Sequence, residues 1–246
     1  MSNRPSREGS RVPDAELAEL VDGKVKRLRS AELFGGRKVI LFALPGAFTP
    51  TCSTAHVPGY RARLKDFHEA GVDDVICLSV NDPFVMEAWQ RSEKAEGVRF
   101  IADPYAEFTD AMGMAVDHRD ASLGTRSWRY SMLVNDGRIE KMFIEPDEPG
   151  DPFKVSDADT LFKYLRPDRK TFGPVLVLAR EGCSFCARAK ELLQQRGISF
   201  DAVHMGEELT MEGVKAAAGV ARVPQVFIDG KLIGGAEQLE QFLAKA

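Results

Sequence analysis

No apolar run in these 246 residues approaches the roughly 18 that a membrane-crossing helix needs. Cysteine is scarce, four in all, which excludes a scaffold stapled by disulfides. Histidine is equally scarce, also four, and after Cys186 only His204 remains as a ligand, so a zinc cage around Cys183 and Cys186 lacks its other donors. Neither sign of charge dominates: 33 basic residues face 37 acidic ones, a net −4 that offers no electrostatic footprint for nucleic acid. The sequence has no internal repeat and no low-complexity tract. The opening run, Met1 to Arg11, has no apolar stretch and does not read as a secretory signal. Its arginines hint at organelle import, but Pro5, Glu8 and Gly9 argue against an amphipathic helix, and residues 1–12 are read as a disordered leader. The default compartment is the cytoplasm, where thiols stay reduced and cysteines serve catalysis more than stapling.

What is present is an alternation of short apolar runs and mixed segments. Lys38 to Leu44 is a buried strand ending at Pro45-Gly46. Thr51 to Ala70 suits a helix, Asp74 to Val80 a second buried strand, and Asn81-Asp82-Pro83 a helix start running to about Glu96. Val98 to Ala102 is a third strand. Ser127 to Val134 and Arg138 to Ile144 flank Asn135-Asp136-Gly137 as a hairpin, and Asp157 to Leu165 suits a helix. The pattern is an α/β layered fold over 13–165. A polar stretch, residues 166–173, reads as a linker, after which the pattern restarts over 174–246. Strand 175–178, helix 184–196, strand 198–203, helix 207–218, a hairpin around Asp229-Gly230 and a closing helix 236–244 make a thioredoxin-like layout.

Three of the four cysteines lie in two motifs of different design. Cys52 ends the run Pro45-Gly-Ala-Phe-Thr-Pro-Thr-Cys52 and falls in the first turn of a helix, where the dipole and unpaired N–H groups favour a thiolate. Thr49 can place a hydroxyl beside the sulfur, Pro45 and Pro50 stiffen the loop, and Arg129, on an expected strand, is the best candidate for a fixed cation. The plain alternative is one more small buried residue. Cys77, between Ile76 and Leu78 in an apolar strand, reads as a packed, inert thiol, which leaves the first domain without a resolving cysteine. His56, four residues after Cys52, is given a packing role first. His118 reads as a loop residue, and Trp89 and Trp128 as core or interface.

The second motif is Cys183-Ser-Phe-Cys186. Cys183 follows a strand and opens a helix, the placement that lowers a thiol pKa, with Arg180 as a nearby cation.

Pro45-x-x-x-Thr49-x-x-Cys52, with His56-Val-Pro-Gly-Tyr60, Cys77 to Pro83 and Arg129 to Val134, resembles the peroxiredoxins, the peroxiredoxin-five subgroup in particular, over about residues 10–165. The resemblance implies that Cys52 is the peroxidatic cysteine and that Thr49 hydrogen-bonds sulfur and peroxide. It implies too that Arg129 holds both, that Pro45 lines the substrate pocket, and that hydrogen peroxide or an organic hydroperoxide is the substrate. Val175 to Ala246 resembles the glutaredoxins through Cys183-Ser-Phe-Cys186, Arg222 to Ile228 and Gly230 to Gly235. That implies Cys183 as nucleophile and Cys186 as its partner, and a cis-proline at Pro224. It also implies glutathione contacts from Arg180, Val223, Pro224, Gly235 and Ala236. Ser184-Phe185 stands where Pro-Tyr is more usual, and Ala236-Glu237 where a small polar residue and Asp are. The expected whole is two thioredoxin-like domains forming a glutathione-dependent peroxidase. It needs no bound cofactor or metal, uses glutathione as reducing co-substrate, and self-associates through the first domain into a homo-oligomer without membrane or nucleic-acid partners.

Overall fold

The computed structural model describes residues 4–168, 172–196, 198, 200–206 and 209–245. The chain divides into two compact units, Met1–Arg166 and Pro167–Ala246. The thioredoxin-like α/β fold expected of both is present. Of the expected linker, 166–173, residues 169–171 lie outside the described set, as do residues 1–3 of the leader and the expected helix start at Glu207.

In the first unit, β1 (Glu16–Val21) and β2 (Lys24–Arg29) form a hairpin over Asp22-Gly23. Both turn residues have positive φ, 50° and 73°, the geometry of a two-residue turn that matches strand twist. A short helix α1 (Ser30–Phe34) leads to β3 (Lys38–Ala43). β3 lies parallel to β4 (Asp74–Ser79), and β4 parallel to β5 (Arg99–Ala102). β6 (Ala115–Asp117) and β7 (Thr125–Ser127) make a separate ribbon. β8 (Tyr130–Asn135) and β9 (Arg138–Ile144) complete a seven-stranded sheet in the order β2-β1-β5-β4-β3-β8-β9.

The central strands are apolar on both sides, and each face builds its own core. Along β3, Ile40 and Phe42 join the cluster that holds Cys52, Tyr60, Trp89 and Phe162. Val39, Leu41 and Ala43 join the opposite cluster, with Phe34, Phe108 and Tyr130. The first face is covered by α2 (Val57–Ala62), α3 (Leu64–Glu69), α4 (Pro83–Ser92) and α6 (Ala158–Leu165); α5 (Glu107–Ala111) supplies Phe108 to the second. α4 and α6 start as their sequences demand. The Asp82 carboxylate accepts from the N–H groups of Phe84 and Val85, and Asp157 from that of Thr160.

Three expectations are corrected. The leader is held against the sheet from residue 4: Arg11 bridges to Arg138, and the Gly9 and Val12 N–H groups donate to the carbonyls of Ile139 and Gly137. Backbone pairing with β9, which does not depend on side-chain polarity, orders it. The single helix over 51–70 is broken, because Pro58 has no N–H to donate to Thr54. Cys52–His56 instead form a π-type turn in which the Val57 N–H reaches back five residues to the Cys52 carbonyl, and Arg63 separates α2 from α3. Arg129 does not lie on a strand: the expected run 127–134 is interrupted at Trp128 and Arg129, between β7 and β8.

The second unit has β10 (Val175–Ala179) parallel to β11 (Asp201–His204) and antiparallel to β12 (Gln225–Ile228). β12 turns into β13 (Lys231–Gly234), and the sheet order is β11-β10-β12-β13. α7 (Ser184–Gln195) and α9 (Ala236–Lys245) contribute Cys186, Leu193, Leu239 and Leu243 to a third core, with Val177 and Val226, and α8 (Met211–Ala218) lies between β11 and β12 in the chain. Among the described residues no helix is long and apolar enough to cross a membrane.

Glu145 holds the segment that roofs the first site. Its buried carboxylate accepts from the N–H groups of Lys154, Val155 and Ser156 and from the Ser156 hydroxyl, at 2.7 to 2.9 Å. Its own N–H donates to the Arg129 carbonyl, and its carbonyl accepts from Trp128 Nε1. Residues 146–153 are therefore a loop closed at its base by one side chain. Replacing Glu145 with Ala strands several of these donors, each costing about 1–3 kcal/mol when buried and unpaired. Urea unfolding of Glu145→Ala should show the first unit destabilised by about 3 kcal/mol; a loss under about 1 kcal/mol contradicts the anchoring role.

Candidate active site

The sequence after β3 makes a tight loop. Pro45 and Gly46 are buried, the Ala47 N–H donates to Asn81 Oδ1 at 3.1 Å, and Phe48, at φ 60°, points its ring outward with 55% exposure. The helical turn opens at Pro50, and Cys52 lies in it with no exposed surface. Thr49 is half-buried, and its hydroxyl donates to the Gly46 carbonyl at 2.8 Å. The structure thus brings Pro45, Thr49 and Cys52 into one loop, although the Thr49 hydroxyl bonds to the loop backbone and not to the sulfur. Opposite them, Arg126 of β7 donates to the Val80 carbonyl at 2.7 Å, with its guanidinium 3.3 Å from where a Cβ on Gly46 would stand. A side chain at position 46 would push against it.

The fixed cation is Arg129. Its side chain is 1% exposed, and Nη2 lies 3.4 Å from Cys52 Sγ. Three further groups hold it. His56 Nδ1 accepts from Nη1 at 3.0 Å, and Asp151 takes Nη2 at 2.5 and 2.6 Å and Nε at 3.2 Å. The Phe153 ring lies 5.7 Å from the guanidinium carbon. Burial by itself would weaken the hold of Arg129 on its proton. The negative charge of Cys52 and Asp151 outweighs that and raises its pKa.

The state of His56 follows from its partners. Nε2 lies 3.2 Å from the Ser156 carbonyl, which only accepts, so Nε2 carries the hydrogen and Nδ1 is left as the acceptor for Arg129. Burial first, and then the Arg129 charge, hold its pKa well below 6.5, so the ring stays neutral. It also packs on Phe42 and Phe153, both at 4.9 Å between ring centres. The packing role read from the sequence is present, and an orienting hydrogen bond is added to it. Its spacing of four from Cys52 was the signal available. Asp151 left no such signal, since it lies in a loop of prolines, acids and glycine.

Cys77 is fully buried on β4, opposite Phe42 on β3. Burial, and then the charge of Cys52, push its pKa well above the usual thiol value.

In the second unit Cys183 caps the N-terminus of α7, its sulfur accepting from the Cys186 N–H at 3.2 Å. Partial burial pushes the Cys183 thiol up. The hydrogen bonds from Cys186 and from the Cys186 and Phe185 N–H groups, with the Arg180 charge, push it further down, and its pKa is lowered. Cys186 is 2% exposed, and burial together with its bond to Cys183 pushes it up to about 11. Cys183 is half-buried and Phe185 beside it is 58% exposed, so the Cys183 thiol is accessible and that of Cys186 is not. The Val223–Pro224 bond is cis, and Val223 packs on the same core as Cys183. Gly235, just before α9, has the Pro224 carbonyl 3.7 Å from where its Cβ would stand, which brings together two of the expected glutathione contacts. Among the described residues no group of three or more His, Cys, Asp or Glu side chains stands close enough to hold a metal ion.

Comparison with known proteins agrees with this division. The redoxin family profile matches residues 7–162, and the glutaredoxin profile residues 175–233. The hybrid peroxiredoxin hyPrx5 of Haemophilus influenzae is 50% identical over 239 residues, spanning 97% of this chain and 99% of its own. Peroxiredoxin-2B of Arabidopsis thaliana is 41% identical over 64% of this chain and 96% of its own. Among solved structures, reduced Prx3 of Vibrio vulnificus in complex with hydrogen peroxide superposes with a TM-score of 0.62 at 39% identity, covering 65% of this chain and 99% of that one. With a redoxin unit built around Cys52 and a glutaredoxin unit built around Cys183, the chain belongs to the hybrid peroxiredoxins, peroxidases that carry a fused C-terminal glutaredoxin domain.

Proposed function

We propose that this peroxiredoxin is a glutathione-dependent thiol peroxidase, reducing hydrogen peroxide and organic hydroperoxides to water or alcohol. The supporting observation is the 3.4 Å contact between Arg129 Nη2 and Cys52 Sγ, with both groups buried. A cation fixed before the reaction stabilises the thiolate and the charge that develops on the peroxide as its O–O bond breaks. The Cys52 thiolate attacks one peroxide oxygen. An S–O bond forms, the O–O pair leaves on the other oxygen and takes a proton, and Cys52 becomes a sulfenic acid. The Thr49 hydroxyl, donating to Gly46, keeps lone pairs to accept from the peroxide, and Pro45 shields the pocket.

Glutathione then condenses with the sulfenic acid, losing water and leaving a mixed disulfide on Cys52. The Cys183 thiolate attacks the glutathione sulfur, releases the Cys52 thiolate and becomes glutathionylated; a second glutathione frees it as glutathione disulfide. The lowered pKa of Cys183 and the raised pKa of Cys186 favour a route that needs Cys183 alone. Arg180, Val223, Pro224, Gly235 and Ala236 hold the glutathione. A reducing, cytoplasmic setting suits this cycle. The tether supplies roughly millimolar effective concentration where it lets the two sulfurs meet. Self-association through the first domain is the assembly that the family resemblance implies.

Cys52→Ser should abolish peroxide reduction while disulfide exchange by the second domain survives, and Arg129→Ala should slow the peroxide step by roughly 10²-fold. Stopped-flow rates decide this: residual peroxidase above about a tenth of wild type, or an Arg129 effect under threefold, removes that residue from the role.

Cys183→Ser should stop turnover with glutathione but leave turnover with dithiothreitol, whereas Cys186→Ser should be tolerated. At pH 7 iodoacetamide should label Cys183 well before Cys186, by peptide mapping. Equal losses in the two variants favour a dithiol route instead.

Mixing Cys52→Ser with Cys183→Ser protein should restore glutathione-dependent activity above either alone, through transfer between subunits. No recovery, where light scattering confirms mixed oligomers, means that transfer stays within one chain.

A further inference from the structure

We propose that Asp151 is a positioning and specificity residue for the Cys52 site, and that its carboxylate makes the enzyme discriminate against anionic oxidants in favour of neutral hydroperoxides. The inference rests on the reading of Cys52 as the peroxidatic thiol. It starts from a feature that reading does not require: the catalytic cation is shared. Nη2 of Arg129 meets Cys52 Sγ at 3.4 Å and both Asp151 oxygens, at 2.5 and 2.6 Å, so sulfur and carboxylate are no farther apart than their distances to one nitrogen allow. Nε goes to Asp151 as well, at 3.2 Å. The third nitrogen, Nη1, donates to neutral His56.

Charge follows from this geometry. With Cys52 as thiolate, the trio of buried sulfur, buried guanidinium and solvent-edge carboxylate carries one net negative charge; without the carboxylate it carries none. Arg126, the next cation on this side of the loop, keeps its charge and is held in place by the carbonyls of Leu123 and Val80, so its contribution is constant when Asp151 is varied. A neutral hydroperoxide is indifferent to that net charge, and an anion is repelled. Two groups separated by a few ångströms of protein interact strongly enough for one charge to change a rate about tenfold after screening.

The placement of Asp151 is built and not incidental. The arginine is 1% exposed, whereas the Asp151 side chain is 39% exposed, so the carboxylate lies at the solvent edge of the cation. The loop that carries it is closed at its base by the four hydrogen bonds of Glu145, and Phe153, two residues on, packs against both His56 and Arg129.

The test compares hydrogen peroxide with peroxymonosulfate, an anionic peroxide. In the second case the thiolate attacks the terminal hydroxyl oxygen, the O–O bond breaks, and the pair departs on sulfate, leaving the same sulfenic acid. Second-order rates at Cys52 are measured by stopped flow on the full-length reduced protein, with Cys52→Ser as the blank. In Asp151→Asn the ratio of the peroxymonosulfate rate to the hydrogen peroxide rate should rise about tenfold, with Asp151→Ala as a second neutral variant, while Asp151→Glu keeps the wild-type ratio within about twofold. If Asp151 only anchors the loop, both oxidants change by the same factor. A ratio in the neutral variants within twofold of wild type, or an equal rise in the Glu variant, overturns the proposal. Wild-type rates no greater than those of the Cys52→Ser blank overturn the peroxidase reading, and this inference with it.

Discussion

Arg129 carries a full positive charge with 1% of its side chain exposed, and the first domain is organised around making that tolerable. A buried guanidinium without partners is among the costliest features a protein can hold. Here His56, Asp151 and Cys52 surround it, delivered by two separate devices. The π-type turn forced by Pro58 brings Cys52 and His56. The loop closed by Glu145 brings Asp151, and the break between β7 and β8 frees Arg129 itself from the strand register.

The chain thereby has two arrangements that can stabilise a thiolate. In the first domain the sulfur is buried and a side-chain cation faces it. In the second the sulfur caps a helix and backbone N–H groups face it, with Cys186 buried behind. The first design suits a small oxidant that must meet a dry, preorganised site. The second suits exchange with a bulky disulfide, which needs an accessible nucleophile.

Much of the fold was legible because the signals were local. The buried strands β3 and β4 read as uninterrupted apolar runs, Asp82-Pro83 as a cap and first turn, and Asn135-Asp136-Gly137 as a hairpin. The β1–β2 hairpin went unread although Asp22-Gly23 is the same kind of signal, because charged residues on its outer face mask the alternation. The π-type turn at Cys52–His56 and the ordered leader were missed for a different reason. One follows from a proline whose effect appears only when hydrogen bonds are counted, the other from pairing with a strand about 130 residues away.

The sequence by itself determined where the candidate thiols stand: that a helix start and a Pro-Thr-Cys loop surround Cys52, and that a C-x-x-C module follows. These are short-range facts, carried by residue type and by spacing along one element. Only the tertiary structure decided what encloses the sulfur. Arg129 is 77 residues from Cys52, and Asp151 a further 22 beyond it. That these meet at one nitrogen, with His56 held neutral behind them by burial and by the Arg129 charge, depends on sheet order and loop closure, for which no local pattern of residues exists.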